Sequence, residues 1–346
     1  MNQTNRSILT PIVALIFSLL ALFLVLPMQG HAEEGTLQFY VTPKLPESQV
    51  EGTQNYFNLN LAPGKTEKLA LHLQNGSEQP VTVSVTPHAA YTNVHGVVEY
   101  GKDAKDPDPT LTHGLDQLID PIDDIELAGK QTKTVELTLH MPKESFAGLL
   151  AGGLRISEVK EPEKKEDSEK AGLAIKNEFA YVLGVVLSNS RDAVTPDLDL
   201  IDVFSDQLNY RNVFSAAIQN PTATFVNHLA VEAQVQRVGD DELVYQASKE
   251  EMQMAPNSHF NFPISLEGDR FRAGDYIATV KATSGEEVWE WEKKFTIKAD
   301  EAKTWNKQDV TIDQSTNWWM IGTVTLLVIL IIVINYCVWQ VKKQKS

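Results

Sequence analysis

Residues 68–85 read KLALHLQNGSEQPVTVSV, two short alternating segments on either side of an Asn75-Gly76 turn. Because successive side chains of a strand point to opposite faces, each segment predicts a strand with one buried face. The apolar positions are Leu69, Leu71 and Leu73 before the turn and Val81, Val83 and Val85 after it. Thr134 to Met141 shows the same alternation. Half-buried strands at this spacing are typical of antiparallel sandwiches.

The same pattern extends from Leu37 to Ile297, where short apolar alternations are separated by Pro, Gly and Asn and no long helical period occurs. We therefore expect an all-β chain with two immunoglobulin-like antiparallel β-sandwich domains. An internal echo favours two similar units, since Leu69–Asn75 (LALHLQN) and Phe214–Asn220 (FSAAIQN) both precede a turn and a further strand pattern.

A charged segment, Glu158 to Lys170 (EVKEPEKKEDSEK), interrupts the strand pattern. It has almost no apolar residue to bury, which predicts a loop or linker. The strand pattern that follows, Asn177 to Leu187, either completes the first sandwich or opens the second. The pattern by itself favours a boundary near Ser190.

The two ends of the chain predict membrane targeting and anchoring. Residues 1–32 contain a basic start, an apolar run and a Gly30-His31-Ala32 cleavage pattern, as in a signal peptide. Residues 318–339 (WWMIGTVTLLVILIIVINYCVW) would extend about 33 Å as a helix, enough to cross a bilayer. Lysines after a span mark its cytoplasmic side, so we expect a single-pass membrane protein with an extracellular ectodomain and a short cytoplasmic tail at 340–346. The expected interfacial anchors are Trp318, Trp319, Trp339, Lys342 and Lys343.

Composition narrows the class of partner. The chain has 46 acidic and 30 basic residues and a formal net charge of −16, which excludes nucleic acid as a favoured ligand. Cationic partners fit better, although an acidic surface also serves solubility. The single cysteine, Cys337, lies inside the predicted span, so the ectodomain has no disulfide and depends on hydrophobic cores.

No motif in the chain predicts catalysis, a cofactor or a metal site. The eight histidines form no closely spaced ligand pair, and neither a nucleophile elbow nor a phosphate-binding loop is present. The glycines of Gly148 to Gly153 lie in a strand pattern, where close packing explains them better than phosphate binding.

Aromatic residues are the candidate binding residues. Trp289 and Trp291 alternate in a strand pattern, so both indoles point to one face. That face is either core, which the continuation to Phe295 and Ile297 favours, or a platform for sugars or a partner chain. Tyr56 and Phe57 are open to the same two interpretations.

These motifs together resemble a known family, the WxL-interacting proteins of Gram-positive bacteria. The segments that resemble the first domain of that family are Phe39-Tyr-Val-Thr-Pro43, Leu45-Pro46-Glu47, Tyr56-Phe57-x-Leu59, Met141-Pro142-Lys143 and Phe146-Ala-Gly148. The segments that resemble the second domain of that family are Asn177 to Gly184, Ala216 to Pro221, Met254 to Ser258 and Trp289 to Ile297. Ala147 and Ala151 depart from the pattern expected of the family.

The resemblance implies a nonenzymatic cell-surface scaffold that binds peptidoglycan with its first domain and host extracellular matrix proteins with its second, together with WxL-domain partners. It also implies domains at 33–157 and 171–300, separated by a linker at 158–170 and followed by a juxtamembrane stalk at 301–317. The alternatives are an exported cell-wall carbohydrate-active enzyme and an envelope sensor that acts through its membrane span.

Overall fold

The computed structural model of the protein describes residues 38–101, 107–160, 179–314 and 318–344. The predicted signal peptide and residues 161–170 of the charged segment lie outside these ranges. Strands dominate the described chain up to Ile297, which confirms the all-β prediction. The elements of the first sandwich are β1 Phe39–Lys44, β2 Phe57–Asn60, β3 Thr66–Asn75, β4 Val81–Ala89, β5 Tyr91–Thr92, β6 Val98–Glu99, helix α1 Leu115–Leu118, β7 Ile125–Leu127, β8 Thr132–His140, β9 Leu150–Glu158 and β10 Ala180–Ser188.

The first sandwich pairs a sheet of order β1-β3-β8 with a sheet of order β2-β10-β9-β4-β7. The predicted inner positions of β3 and β4 are buried, with no side chain more than 5% exposed. The turn at Asn75-Gly76 carries the chain from one sheet to the other, because β3 and β4 belong to different sheets. Phe39 and Tyr181 bridge the two sheets with their ring centroids 5.6 Å apart.

Strand β10 settles the position of the segment that follows the charged residues. It pairs antiparallel with β9 and parallel with β2, so it belongs to the first sandwich. Its inner face covers the first core with Leu183, Val185 and Leu187, none more than 9% exposed. The boundary at 158–170 is therefore corrected: that segment connects two strands of one sandwich, and the second sandwich begins after Ser188, where the strand pattern had favoured it.

The second sandwich pairs a sheet of order β11-β12-β15 with one of order β14-β13-β16-β17. Phe214 lies at its centre, and the rings of Tyr245, Phe271, Tyr276 and Phe295 surround it at centroid distances of 5.3 to 5.6 Å. The elements are β11 Asp199–Leu208, β12 Arg211–Asn220, β13 Val226–Arg237, β14 Asp240–Met254, β15 Ser258–Ser265, β16 Gly274–Ser284, β17 Glu287–Ile297, helix α2 Ala299–Gln308 and helix α3 Trp318–Gln344.

The two sandwiches share one topology. In chain order, β1, β3, β4, β7, β8, β9 and β10 occupy the same sheet positions as β11 to β17, and β2 is an extra strand beside β10. Seven strands divided between two sheets with crossovers form an immunoglobulin-like arrangement. The echoed asparagines have the same role, because each is fully buried and accepts bonds from the amide and hydroxyl of the residue two positions later, Ser77 or Thr222. The sequence echo thus corresponds to a structural repeat.

The region predicted as a stalk is part of the second sandwich. Trp305 of α2 donates a hydrogen bond from its indole Nε1 to Ser205 Oγ at 3.0 Å. Beyond the helix, Asp309 is buried and accepts the backbone amide of Asn212 at 2.7 Å. Residues 301–314 of the predicted juxtamembrane stalk therefore pack on the second sandwich.

The last described element is helix α3. Its Trp339 side chain is 55% exposed, while the side chains of the other predicted anchors, Trp318, Trp319, Lys342 and Lys343, lie outside the described part of the structure. Within the described residues, no helix qualifies as long and apolar enough to cross a membrane.

Candidate binding cleft at the junction of the sandwiches

The sequence-predicted aromatic residues do not form a common site. Trp289 and Trp291 are half-buried and pack against the core of the second sandwich, as the core interpretation favoured. Trp289 Nε1 donates to Asp197 Oδ1 at 3.0 Å, which fixes its indole. Phe57 is 0% exposed in the first core and cannot meet a ligand, so its assignment as a binding residue is corrected. Tyr56 is half-buried beside Gly184, and a binding role there stays a prediction.

The structure instead brings loops of the first sandwich against turns of the second. Three backbone amides donate across this junction: Leu149 to Ala223 O at 2.7 Å, Gln253 to Gly96 O at 2.8 Å and Ala255 to Thr92 Oγ1 at 3.0 Å. A small apolar cluster of Ala90, Ala151 and Ala255 lies beside them. The junction is therefore a packed interface with its own buried bonds.

Gly148 permits the closest approach at this junction. Its φ is +78°, in the region that favours glycine, and a Cβ placed on it would lie 2.2 Å from Ala223 O. Since that oxygen accepts the Leu149 amide, a side chain at 148 would force apart the two backbones that this bond joins. The glycines of this stretch thus serve close packing, as the sequence indicated, and Gly153 does so against Tyr100.

We expect Gly148→Ala to lower the free energy of unfolding more than Gly64→Ala does. Gly64 also has a positive φ, +69°, but no atom lies within 4 Å of its added Cβ, so its variant measures backbone strain alone, about 1–2 kcal/mol. The clash at 148 adds about 1–3 kcal/mol of overpacking. Urea unfolding of both full-length variants measures the difference, and equal losses would show that the close approach has no energetic role.

The centre of the junction is the carboxylate of Asp108, whose side chain is 0% exposed. Its Oδ1 accepts the amide of Thr110 at 2.9 Å and the hydroxyl of Thr110 at 2.6 Å. From the second sandwich, Gln219 Nε2 lies 2.9 Å from each carboxylate oxygen, and His259 Nδ1 lies 2.9 Å from Oδ2. One carboxylate of the first sandwich is thus held by two side chains of the second.

The protonation states follow from these bonds. Burial raises the pKa of the Asp108 carboxyl, but the hydrogen bonds from Thr110, Gln219 and His259 outweigh burial and hold the pKa below its ordinary value. Asp108 is therefore ionised near neutral pH and can only accept. His259 must donate from Nδ1, and in the tautomer with its single proton on Nδ1 the Nε2 atom is an acceptor.

A cleft of about 380 Å³ opens beside this pair, and residues of both sandwiches line it. His259 reaches it with 31% of its side chain exposed. Its polar and aromatic walls include His88, Tyr91, Asp116, Asn257 and His259. Within the described residues, no group of three or more His, Cys, Asp or Glu side chains could hold a metal ion. A second, more open pocket of about 570 Å³ lies beside α2 within the second sandwich alone, between acidic residues and Arg270 and Arg272.

Sequence reasoning missed Asp108 as a site residue. It stands in an acidic stretch, Asp103 to Pro109, that contains no catalytic or metal-binding motif. Its partners Gln219 and His259 lie 111 and 151 residues away along the chain, so no local spacing connects them. The only available signal was Gln219, which belongs to the echoed Gln-Asn motif.

Two family models match the chain in succession. The model described as "WxL Interacting Protein, peptidoglycan binding domain" matches residues 39–158, and the model described as "WxL Interacting Protein, host binding domain" matches residues 170–307. The second match starts before β10, although that strand pairs within the first sandwich. No curated protein matches the chain.

Solved structures with weak similarity include two that contain a chaperone. The Salmonella enterica SafA pilin in complex with the SafB chaperone is 14% identical, with a TM-score of 0.28 over 75% of this chain and 99% of that chain. The E. coli chaperone DraB is 13% identical, with a TM-score of 0.27 over 70% and 94%. TM-scores this low support no inference about this chain.

Proposed function

Because the chain belongs to the WxL-interacting protein family, we propose that it is a nonenzymatic scaffold of the Gram-positive cell surface that binds peptidoglycan with its first sandwich and host matrix proteins with its second. The observation that carries this proposal is the succession of the two family matches, the first on strands of the first sandwich and the second on β10 and the second sandwich. Both matched families are binding domains, which supports binding over catalysis.

The junction fits a scaffold with two kinds of ligand. Buried hydrogen bonds at Asp108 and the three backbone bonds connect the sandwiches directly, in addition to the chain that links them. A protein that holds wall on one domain and a host protein on the other must transmit force between them, and a bonded junction does this better than a free linker.

Membrane anchoring is part of the proposal. The apolar sequence at 318–339, its tryptophans and the lysines behind it support a single span with the ectodomain outside. The large aliphatic side chains of helix α3 from Val324 to Ile334 are each at least 51% exposed. Retention in membranes after carbonate washing, lost when residues 318–344 are deleted, is the expected result, and full release of the intact chain would contradict it.

Assembly with WxL-domain proteins is proposed from family membership alone. We expect the full-length chain, purified in mild detergent, to retain a WxL-domain protein from the same surface in a pull-down. Capture of other wall proteins with no WxL-domain protein among them would contradict this part of the proposal.

Wall binding is tested by sedimentation with purified peptidoglycan sacculi. The full-length chain in detergent is expected to sediment with sacculi and to bind immobilised matrix proteins in a separate assay. A chain that stays in the supernatant contradicts peptidoglycan binding. Release of new reducing ends from the sacculi would favour the alternative, an exported carbohydrate-active enzyme.

A further inference from the structure

The cleft at the junction presents several hydrogen-bond acceptors. His259 uses Nδ1 to donate to Asp108, and in the tautomer with its single proton on Nδ1 the Nε2 atom is a hydrogen-bond acceptor. Asn257 uses its amide nitrogen for Thr110 Oγ1 and Pro221 O, which leaves its Oδ1. Within the described residues, neither these two atoms nor the exposed carboxylate of Asp116 has a hydrogen-bond partner. All three residues line the cleft.

The lining of the cleft also includes apolar residues. Pro87, Ala89 and Leu111 are among them. The volume, about 380 Å³, lies near the lower end of the range for small-ligand sites, roughly 300–1,000 Å³. A ligand that fits is therefore small, carries several donors and has a carbon face.

The two components of peptidoglycan, the stem peptide and the glycan strand, differ in charge. Its stem peptides carry carboxylates, which the Asp116 carboxylate and a chain of net charge −16 repel. Its glycan strand offers neutral sugar rings, each with hydroxyl donors at the edge and C–H groups on the face. The acceptor-rich, partly apolar cleft complements such a sugar, and the Asp116 carboxylate disfavours the carboxylates of the stem peptide.

We propose that the cleft between the sandwiches binds a neutral sugar unit of the glycan strand, whose hydroxyls donate to His259 Nε2, Asn257 Oδ1 and the Asp116 carboxylate. This inference rests on the proposed peptidoglycan binding and deepens it. It also places the glycan on residues of both sandwiches, so that wall binding requires the junction and not the first sandwich alone.

The test measures binding of chitotetraose, a neutral N-acetylglucosamine tetramer, to the full-length chain in detergent by calorimetry. Asp116→Asn removes a charged acceptor and is expected to raise Kd about tenfold or more. His259→Asn keeps an amide donor at the position of Nδ1 for Asp108 and removes the Nε2 acceptor, so we expect an increase of about three- to tenfold. Asp124→Asn, an exposed carboxylate on the same sandwich and outside the cleft, is the matched control and leaves Kd unchanged.

Sedimentation with sacculi distinguishes failure of the site from failure of the function. If the wild type sediments with sacculi but does not bind chitotetraose, or if both variants bind as the control does, the glycan cleft is wrong and peptidoglycan binding stands. Stronger binding of a carboxylate-bearing stem peptide than of the tetramer also overturns the sugar assignment. If the wild type ignores sacculi, the proposed function itself fails.

Discussion

A chain that ends at residue 178 is expected not to fold its first sandwich, whereas a chain that ends at residue 192 folds it. The two differ only by β10 and the residues beside it. Without that strand the first core loses Leu183, Val185, Val186 and Leu187, all at most 9% exposed. At about 1.5–3 kcal/mol for each buried side chain, the loss is roughly 6–12 kcal/mol, comparable to the whole stability of a typical domain. Strand β2 also loses the strand with which it pairs in the sheet.

The measurement is cooperative unfolding in urea, followed by far- and near-ultraviolet circular dichroism. Both chains contain the charged segment, so any difference between them comes from β10 and not from the loop. The longer chain also keeps Asn189, whose side chain bonds Phe146 N at 2.9 Å and Leu61 O at 2.8 Å. A cooperative transition with native tertiary signal in the shorter chain would show that β10 is dispensable, and the domain boundary would return to the charged segment.

Asp108→Ala is expected to cost about 3–5 kcal/mol of folding free energy, because it leaves His259 and Gln219 without the carboxylate that pairs them in a buried position. Asp309→Ala is the matched variant. Asp309 is likewise buried and accepts the amide and hydroxyl of a threonine two positions later, Thr311, but its other partner, Asn212, belongs to the same sandwich. Both variants are expected to lose folding free energy, but only Asp108→Ala removes hydrogen bonds that join the two sandwiches.

Hydrogen exchange distinguishes the two. The amides of Leu149 and Gln253 donate across the junction, so their exchange should accelerate in Asp108→Ala and remain near wild type in Asp309→Ala. Equal exchange in the two variants, or slow exchange at both amides in Asp108→Ala, would show that the carboxylate does not hold the sandwiches together.

Protonation of Asp108 in acid should cause the same loss of folding free energy as Asp108→Ala. The pKa of Asp108 is lowered in the folded state, so its contribution is complete above the unfolded value, near 3.8, and disappears as the pH falls through the lower folded pKa. The difference in unfolding free energy between the wild type and Asp108→Ala should therefore be constant near neutral pH and shrink below about pH 4. A difference that persists undiminished in acid would mean that the ionised carboxylate is not its source.

Local patterns predicted the features that depend on neighbouring residues. Leu69, Leu71 and Leu73 alternate within one strand, so the sequence itself reveals which face is buried. The inward direction of Trp289 and Trp291 followed from the same rule and the continuation to Phe295. Phe57 was ambiguous because a single aromatic residue at the start of a four-residue strand gives no period to read.

Features that depend on distant pairing could not be predicted this way. Strand β10 belongs to the first sandwich because it pairs with β9 and β2. Its alternating sequence alone would fit either sandwich. The packing of α2 depends on Ser205 and Asn212, about 100 residues earlier in the chain. No sequence motif near Asp108 indicates its role, because its partners Gln219 and His259 belong to the second sandwich.

The repeated strand order has an evolutionary consequence. Tandem copying of one ancestral segment would leave two sandwiches with matching sheets. It would also leave an equivalent buried asparagine in each, Asn75 and Asn220, whose side chain donates to the carbonyl oxygen four residues later. A single ancestral copy would have had loops at that end but no facing partner. Anything bound at the seam between the copies is then a property acquired after the copying, and neither half inherits it alone.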